Sequence, residues 1–213
     1  MVWGMRLPRC MAAVLLCISS ASLVCPAYAQ SFEAGVDFKA LPSKVQTASA
    51  PRVEVVEFFM YPCEHCFAFE PFLAAWEKDK PDNVALRRIP IAAGEIGTRY
   101  ARVFYTAQAL GVWAGMHNIV FNRIHQHQQF FTNDDQVRDF FVAQGVEAAA
   151  FDRTYQSLEI DKQITQGRLL AQLYGVTTVP SLGVDGRYWV NAQHAKTYPR
   201  FLEICDYLIA KSP

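Results

Sequence analysis

The chain has 213 residues, of which 52% are hydrophobic, 13% aromatic and 19% charged. This length and apolar content suit one compact domain or two small ones, and they exclude a disordered or low-complexity chain. The 20 basic residues are balanced by 20 acidic residues, so the charge gives no reason to expect binding to nucleic acid. We expect a globular protein with a small-molecule or protein substrate.

The segment 1–29 has the pattern of a secretory signal peptide. Two arginines precede an apolar run over 10–24, and Ala27-Tyr28-Ala29 offers the small side chains that signal peptidase reads. The apolar run is shorter than the ~20 residues that span a bilayer comfortably. We therefore expect an exported protein whose mature chain begins near Gln30.

Removal of that segment leaves three cysteines, Cys63, Cys66 and Cys205. A secreted protein that relies on disulfides for stability usually has more of them, paired across long loops. Two cysteines three positions apart close too short a loop to restrain the unfolded chain much. We therefore expect Cys63 and Cys66 to serve a reaction rather than to stabilise the fold. Cys205 lies beside the apolar face of the last helix, and we expect it to be a buried thiol.

A strand–helix–strand unit is predicted around the cysteine pair. The β-branched and aromatic run over 53–60 is typical of a buried strand. Residues 63–80 then have the apolar spacing of a helix, with a kink expected at Pro71, and residues 84–90 form a second strand. This order predicts a right-handed βαβ unit in a parallel sheet. A short strand is also predicted near 36–40.

The pattern from 91 to 173 is almost wholly helical, and strands return after it. Helices are predicted over 98–110, 113–128, 134–143, 147–158 and 161–174. A hairpin with strands at 181–184 and 187–190 follows, and an amphipathic helix over 199–211 ends the chain.

The residues Cys63-Glu64-His65-Cys66 lie where the first strand turns into the helix. The first cysteine then lies at the positive end of the helix dipole, near unpaired N–H groups that favour a thiolate, and His65 adds a positive charge or a hydrogen bond. We predict that Cys63 is the exposed, attacked sulfur and that Cys66 is the buried resolving sulfur. Half a zinc site has the same spacing, but no second cysteine pair completes one, and haem attachment fails because Phe67 follows Cys66.

A Val179-Pro180 step precedes the hairpin. It suggests a fixed, cis peptide bond that leaves the backbone of Val179 free to pair with an extended peptide. The alternative is an ordinary proline at the start of a strand.

Two motifs resemble those of one protein family. The residues V-E-F-F-x-Y-x-C-x-H-C at 56–66 and G-V-x-x-x-P-S-L-x-V-D-G at 175–186 resemble the DsbA family of bacterial periplasmic thiol:disulfide oxidases. The resemblance covers essentially the whole mature chain. It implies an α/β protein with a thioredoxin fold, whose two parts at 30–90 and 174–213 are separated by an inserted all-helical domain at 91–173.

The resemblance also implies roles for single residues. The catalytic residues would be Cys63 as nucleophile, Cys66, His65 as stabiliser of the thiolate, and Pro180 with its cis bond, while Val179 would bind substrate. We expect a periplasmic monomer without cofactor or metal that oxidises newly exported proteins and is reoxidised by a quinone-linked membrane partner similar to DsbB. Glu64 stands where the best-known members have proline, which bears on redox strength and not on reaction type.

Several further residues are interpreted from their positions. Glu57 lies in an apolar strand near the site, where thioredoxin relatives keep a buried acid that moves protons; the alternative is a charge at a strand edge. We expect the histidines His117, His125 and His127 at the surface rather than in a metal site. We expect the aromatic residues Phe130, Phe131, Phe140 and Phe141 in the core of the helices.

Two other functions use the same residues. A disulfide isomerase or thiol reductase would employ the same pair, although the dimeric isomerases carry an extra N-terminal domain for which the stretch before Pro51 is too short. A copper or zinc carrier would use Cys63, Cys66 and His65 as ligands. Metal titration of the reduced protein, together with an oxidase assay, separates the carrier from the enzyme.

Overall fold

The computed structural model describes residues 1–4 and 31–212. Residues 5–30, which hold most of the predicted signal peptide and its three cysteines, lie outside the described residues, as does residue 213. Within the described part, no helix is long and apolar enough to cross a membrane. The segment from Ser31 onward forms one compact unit.

A five-stranded mixed sheet lies at the centre of this unit. Its strands are β1 (Lys39–Ala40), β2 (Val53–Phe59), β3 (Val84–Pro90), β4 (Ser181–Val184) and β5 (Tyr188–Asn191), in the spatial order β1-β5-β4-β2-β3. Strands β2 and β3 are parallel, and the other neighbouring pairs are antiparallel. Strand β2 is therefore an inner strand, and all seven of its residues are buried.

Helix α1 (Glu64–Asp79) connects the two parallel strands, which confirms the predicted strand–helix–strand unit with a parallel pair. The register runs from Val53 opposite Val84 to Phe59 opposite Pro90. Side chains on both faces of β2 enter apolar clusters, Val55 on one face and Phe58 on the other. Burial on both faces explains why this strand is a continuous apolar run rather than an alternating one.

Five helices follow β3 and share an aromatic core. They are α2 (Gly94–Ala109), α3 (Trp113–His125), α4 (Asp134–Ala143), α5 (Ala148–Tyr155) and α6 (Leu158–Tyr174). The predicted starts at 98 and 161 were wrong. The first turn of α2 contains two glycines, which disfavour helix, but Glu95 interacts well with its positive end. Helix α6 begins earlier because the Ser157 side chain accepts a hydrogen bond from the Ile160 N–H.

The C-terminal elements cover the other side of the sheet. Asp185 and Gly186 have φ values of 51° and 66°, as the two central residues of the turn from Val184 to Arg187 require, and the connection from β4 to β5 comprises residues 185–187. A short helix, α7 (Ala192–Ala195), follows β5 and was not predicted. The closing helix α8 (Tyr198–Ala210) packs on α1, where the rings of Phe201 and Phe69 lie 4.9 Å apart. The first residue of α8 thereby reaches the start of α1.

Candidate active site

Cys63 occupies the N-cap position of α1, directly after the turn that follows β2. Its backbone is extended, and its sulfur accepts a hydrogen bond from the Cys66 N–H at 3.2 Å. A serine or aspartate usually takes this position, because its side-chain oxygen satisfies a free N–H of the first turn. Here a sulfur does so, and an anionic sulfur accepts such a bond better than a thiol.

The two sulfurs lie in different environments. Cys63 is partly exposed, whereas Cys66 is fully buried. A hydrogen bond from the Cys66 side chain lowers the pKa of Cys63 to about 7; burial opposes this shift, and the N–H groups of Cys66 and His65 and the charge of His65 add to it. Burial, followed by the hydrogen bond to Cys63, raises the pKa of Cys66 above the ordinary thiol value. The pair therefore holds one thiolate at Cys63 and one thiol at Cys66.

This arrangement makes the stability of the reduced protein depend on pH. With a folded pKa of about 7, the Cys63 thiolate stabilises the fold fully above the unfolded value of ~8.5, and the contribution is lost as pH falls through about 7. We expect the unfolding free energy of the reduced protein, relative to that of a Cys63→Ser variant, to rise by about 1 kcal/mol between roughly pH 6 and pH 9. The rise is modest because the sulfur is partly exposed. Denaturant unfolding at both pH values measures the gain, and a pH-independent difference would contradict it.

The spacer residues Glu64 and His65 are both exposed on the first turn of α1. The Tyr198 hydroxyl donates a hydrogen bond to the His65 carbonyl oxygen at 3.2 Å and so joins the start of α8 to this turn. The charge of His65 is the weakest of the named interactions that lower the pKa of Cys63. The start of the helix thus does more than the histidine charge to favour the thiolate.

The Val179–Pro180 loop lies against the cysteine pair. Its peptide bond is cis, as the sequence predicted. Cys63 Sγ lies 3.7 Å from the Val179 carbonyl oxygen, to which it donates a hydrogen bond only when protonated, and this contact joins residues 116 positions apart. A groove of about 700 Å³ opens beside this loop, with a mainly apolar lining that includes His65, Thr178, Val179, Tyr198 and Pro199.

Glu57 lies in the middle of the inner strand β2 and is fully buried, so it is not a charge at a strand edge. In the parallel register it lies opposite Arg88, whose Nε is 3.2 Å from Glu57 Oε2. The same guanidinium lies 3.8 Å from Glu70 and 3.0 Å from Glu77, and stacks over the Trp113 ring. Burial, followed by the charge of Glu70, raises the pKa of Glu57 in spite of Arg88.

The three histidines were expected at the surface, and this prediction was wrong for His117. This residue is 5% exposed, its Nδ1 lies 2.8 Å from the Tyr61 hydroxyl, and its Nε2 lies 3.1 Å from Glu70 Oε1. It is buried because Trp113 and Phe121, one turn away on either side, share its face of α3 and pack against it. That spacing is present in the sequence and could have indicated a buried histidine.

The other two histidines differ from one another. His125 is partly buried, because its ring stacks on Phe67 at 4.8 Å and its Nε2 lies 2.8 Å from the Tyr61 carbonyl oxygen. His127 is exposed, as expected. Among residues 1–4 and 31–212, no group of three or more His, Cys, Asp or Glu residues is placed to hold a metal ion.

The remaining predictions concern packing. Cys205 is fully buried, which confirms the expectation of a buried thiol. Phe131, Phe140 and Phe141 are buried in the helical core, whereas Phe130 is 43% exposed, so the prediction for Phe130 was wrong. Phe130 lies in the connection between α3 and α4, where helical periodicity does not apply.

Comparison with known proteins gives one consistent family. Residues 93–203 match the family model of a DSBA-like thioredoxin domain. The chain is 35% identical over 185 residues to the thiol:disulfide interchange protein DsbA of Pseudomonas aeruginosa, covering 87% of this chain and 88% of that one. It is 30% identical over 203 residues to DsbA of Burkholderia cepacia, covering 94% and 95%. A crystal structure of P. aeruginosa DsbA superposes with a TM-score of 0.81 at 34% identity, covering 84% of this chain and 94% of that chain.

Proposed function

The chain belongs to the DsbA family and is a thiol:disulfide oxidoreductase with a thioredoxin fold, and from this premise we propose that it donates a Cys63–Cys66 disulfide to reduced exported proteins. The observation that carries the proposal is the pair at the start of α1. There Cys63 is partly exposed and favoured as a thiolate, while Cys66 is buried and favoured as a thiol. A stable reduced form makes the disulfide a good oxidant.

The reaction begins with attack of a substrate thiolate on Cys63 Sγ of the disulfide, because this sulfur is the accessible one. The S–S bond breaks, and its electron pair leaves on Cys66 Sγ, which takes up a proton. We assign that proton to Glu57, because burial raises the pKa of this carboxyl and so favours its protonated form. A second substrate thiolate then attacks the substrate sulfur of the mixed disulfide and releases Cys63 as a thiolate.

Substrate binds beside the reacting sulfur. Val179 is partly exposed, and its main chain lies against Cys63, so an extended substrate backbone can pair with it. The groove beside Val179 is wide and mainly apolar, which suits the apolar side chains that an unfolded protein exposes. These features support selection for unfolded chains rather than for one sequence.

The reduced protein must be reoxidised after each turnover, and a quinone-linked membrane protein similar to DsbB would do this. The N-terminal pattern supports export with cleavage near Gln30 and action in the periplasm, as a monomer. The same proposal divides the mature chain into thioredoxin parts at 30–90 and 174–213 and a helical insertion at 91–173. The helices α2 to α6 span residues 94–174, which supports the insertion.

The oxidised protein, mixed in equal amounts with a reduced and unfolded substrate protein, tests the proposal. We expect one substrate disulfide to form for each Cys63–Cys66 disulfide consumed. Absence of transfer, with tight binding of one copper or zinc ion by the reduced protein, would show a metal carrier instead. Faster rearrangement of a wrongly paired substrate than oxidation of a reduced one would show an isomerase.

Replacement of the spacer glutamate is expected to shift the potential slightly. Glu64 is exposed at the first position of α1. Its charge disfavours the Cys63 thiolate only weakly, because the solvent screens the interaction between the two charges. We expect Glu64→Pro to raise the redox potential by roughly 10 to 25 mV. Fold stability should change by less than about 1 kcal/mol, because proline is tolerated in the first helical turn.

Glutathione titration of both proteins measures this shift, and thiolate absorbance against pH reports the Cys63 pKa. If the potential rises while the Cys63 pKa stays unchanged or rises, the spacer acts through backbone geometry and the charge argument fails.

A further inference from the structure

A buried cluster of four ionisable side chains joins the elements around the cysteine pair, each side chain contributed by a different element. Glu57 comes from β2, Glu70 from α1, Arg88 from β3 and His117 from α3. None of them is more than 8% exposed. Their closest contacts are the ion-pair distances of 3.2 Å between Arg88 and Glu57 and 3.1 Å between His117 and Glu70. We call these four residues the buried charge cluster.

The charge of this cluster does not balance without an additional proton. If Glu57 and Glu70 are both ionised and His117 is neutral, two negative charges face the single positive charge of Arg88. Glu77, at the edge of the cluster, takes up part of that positive charge through its own 3.0 Å contact with Arg88. An unbalanced charge in the interior costs several kcal/mol, so the cluster favours one added proton. Within the buried charge cluster, only Glu57, Glu70 and His117 can carry that proton.

The surroundings of His117 suit both of its protonation states. In the neutral form, the Tyr61 O–H donates to Nδ1 at 2.8 Å, and the hydrogen on Nε2 faces Glu70. In the charged form, the N–H at Nδ1 donates to the Tyr61 oxygen, and Nε2–H forms an ion pair with the Glu70 carboxylate. The ring can therefore gain or lose a proton without moving.

We propose that His117 is the second site for the added proton, so that the buried charge cluster stays neutral when Glu57 gives its own proton to Cys66. This inference rests on the proposed function. In the oxidised protein the proton resides on Glu57 or on His117. When the disulfide opens and Cys66 takes the proton of Glu57, His117 takes up one of the two protons that the substrate dithiol releases on oxidation, and so carries the balancing charge beside Glu70. His117 touches neither sulfur, so it is a positioning residue that acts through Glu57.

The groups that face His117 from each neighbouring element are few. Tyr61 from the turn before α1 and Glu70 from α1 make the polar contacts. Arg88 from β3 contacts Glu70 and the Trp113 ring, both of which contact His117 in turn. Helix α2 contributes the uncharged Phe104, and Phe59 of β2 packs against the ring edge. Glu70 and, through Arg88, Glu57 are therefore the acids whose ionisation His117 influences.

A carbon-13 NMR titration of the Glu57 carboxyl carbon tests the proposal, with the signal assigned by its loss in Glu57→Gln. The protein is kept oxidised, so that neither sulfur titrates. We expect His117→Gln, which keeps polar contacts but cannot carry a charge, to raise the Glu57 midpoint by about one pH unit. His125→Gln is the matched control, because it removes another α3 imidazole near Tyr61 that does not contact Glu70, and it should leave the midpoint in place.

An unchanged Glu57 midpoint in His117→Gln would overturn the proposal. If that variant does not fold, the ring signals of His117 in the unaltered protein decide the matter. Two sites that share one proton titrate with a common midpoint, so the His117 ring and the Glu57 carbon should change together. A ring that stays neutral through the Glu57 transition would overturn the proposal. The titration uses no substrate, so its outcome is independent of whether disulfide transfer itself is observed.

Discussion

A Cys66→Ala variant should remain bound to its substrates by a mixed disulfide at Cys63. Its Cys63 thiolate still attacks a substrate disulfide, forms a mixed disulfide and releases one substrate thiol. Cys66 is no longer present to displace the substrate from Cys63, so only the slower attack of a substrate thiol can resolve the bond. Oxidative transfer should be lost completely, because this variant cannot form the Cys63–Cys66 disulfide. We expect the mixed disulfide to accumulate and to be visible as a stable, reductant-sensitive adduct by mass spectrometry.

Two further variants make this result specific. Cys63→Ala should form no adduct, because the remaining Cys66 sulfur is fully buried and burial keeps it protonated. Cys205→Ala is the matched control: this thiol lies on the buried face of α8, in the apolar core, and its loss should leave transfer intact. If Cys63→Ala forms the adduct and Cys66→Ala does not, the roles of the two sulfurs are reversed.

Replacement of Arg88 by methionine should cost the protein about 3 to 5 kcal/mol of unfolding free energy. The guanidinium contacts Glu57, Glu70 and Glu77, two of which are buried, and its loss leaves buried carboxylates without a cation. The cost should depend on pH. Without Arg88 the pKa of Glu57 rises further, and an acid with a raised folded pKa destabilises the fold as pH increases above its unfolded value of ~4.3.

Denaturant unfolding at about pH 4.5 and pH 7.5 measures this effect, and the deficit of Arg88→Met should be larger at the higher pH. Arg138→Met is the matched control. It removes an arginine paired with Asp152 where both side chains are more than 40% exposed, and it should lower the unfolding free energy far less than the loss of Arg88 does. Equal losses in the two variants, or no change with pH, would show that Glu57 and Glu70 do not depend on Arg88.

The parts of the fold with strong local patterns were predictable. Strand β3, helix α4 and strand β4 have the predicted limits. Helix α4 is marked by the Asn133 cap, whose side chain accepts from the Gln136 N–H, and by two aspartates in its first turn. Helix α7 was missed because four residues give too little periodicity to recognise.

The site was only partly predictable. The position of Cys63 at the start of α1 follows from the strand-to-helix switch, and the neighbouring loop follows from the Val179-Pro180 step. The partner of Glu57 required the register of β2 and β3, which places Arg88 directly opposite it. Once the two strands are predicted as a parallel pair, a comparison of their possible registers would have suggested this contact. The contact between His117 and Glu70 depends on the packing of α3 on α1, which no local pattern encodes.

The equilibrium of the Cys63–Cys66 couple with glutathione tests the central claim most directly, because it measures how far the helix start favours the reduced protein. The protein is incubated with graded ratios of reduced to oxidised glutathione, and its redox state is read after acid quenching. We predict a potential above that of the glutathione couple, so that a small excess of reduced glutathione converts the protein to the dithiol. A disulfide that persists in a large excess of reduced glutathione would contradict an oxidase.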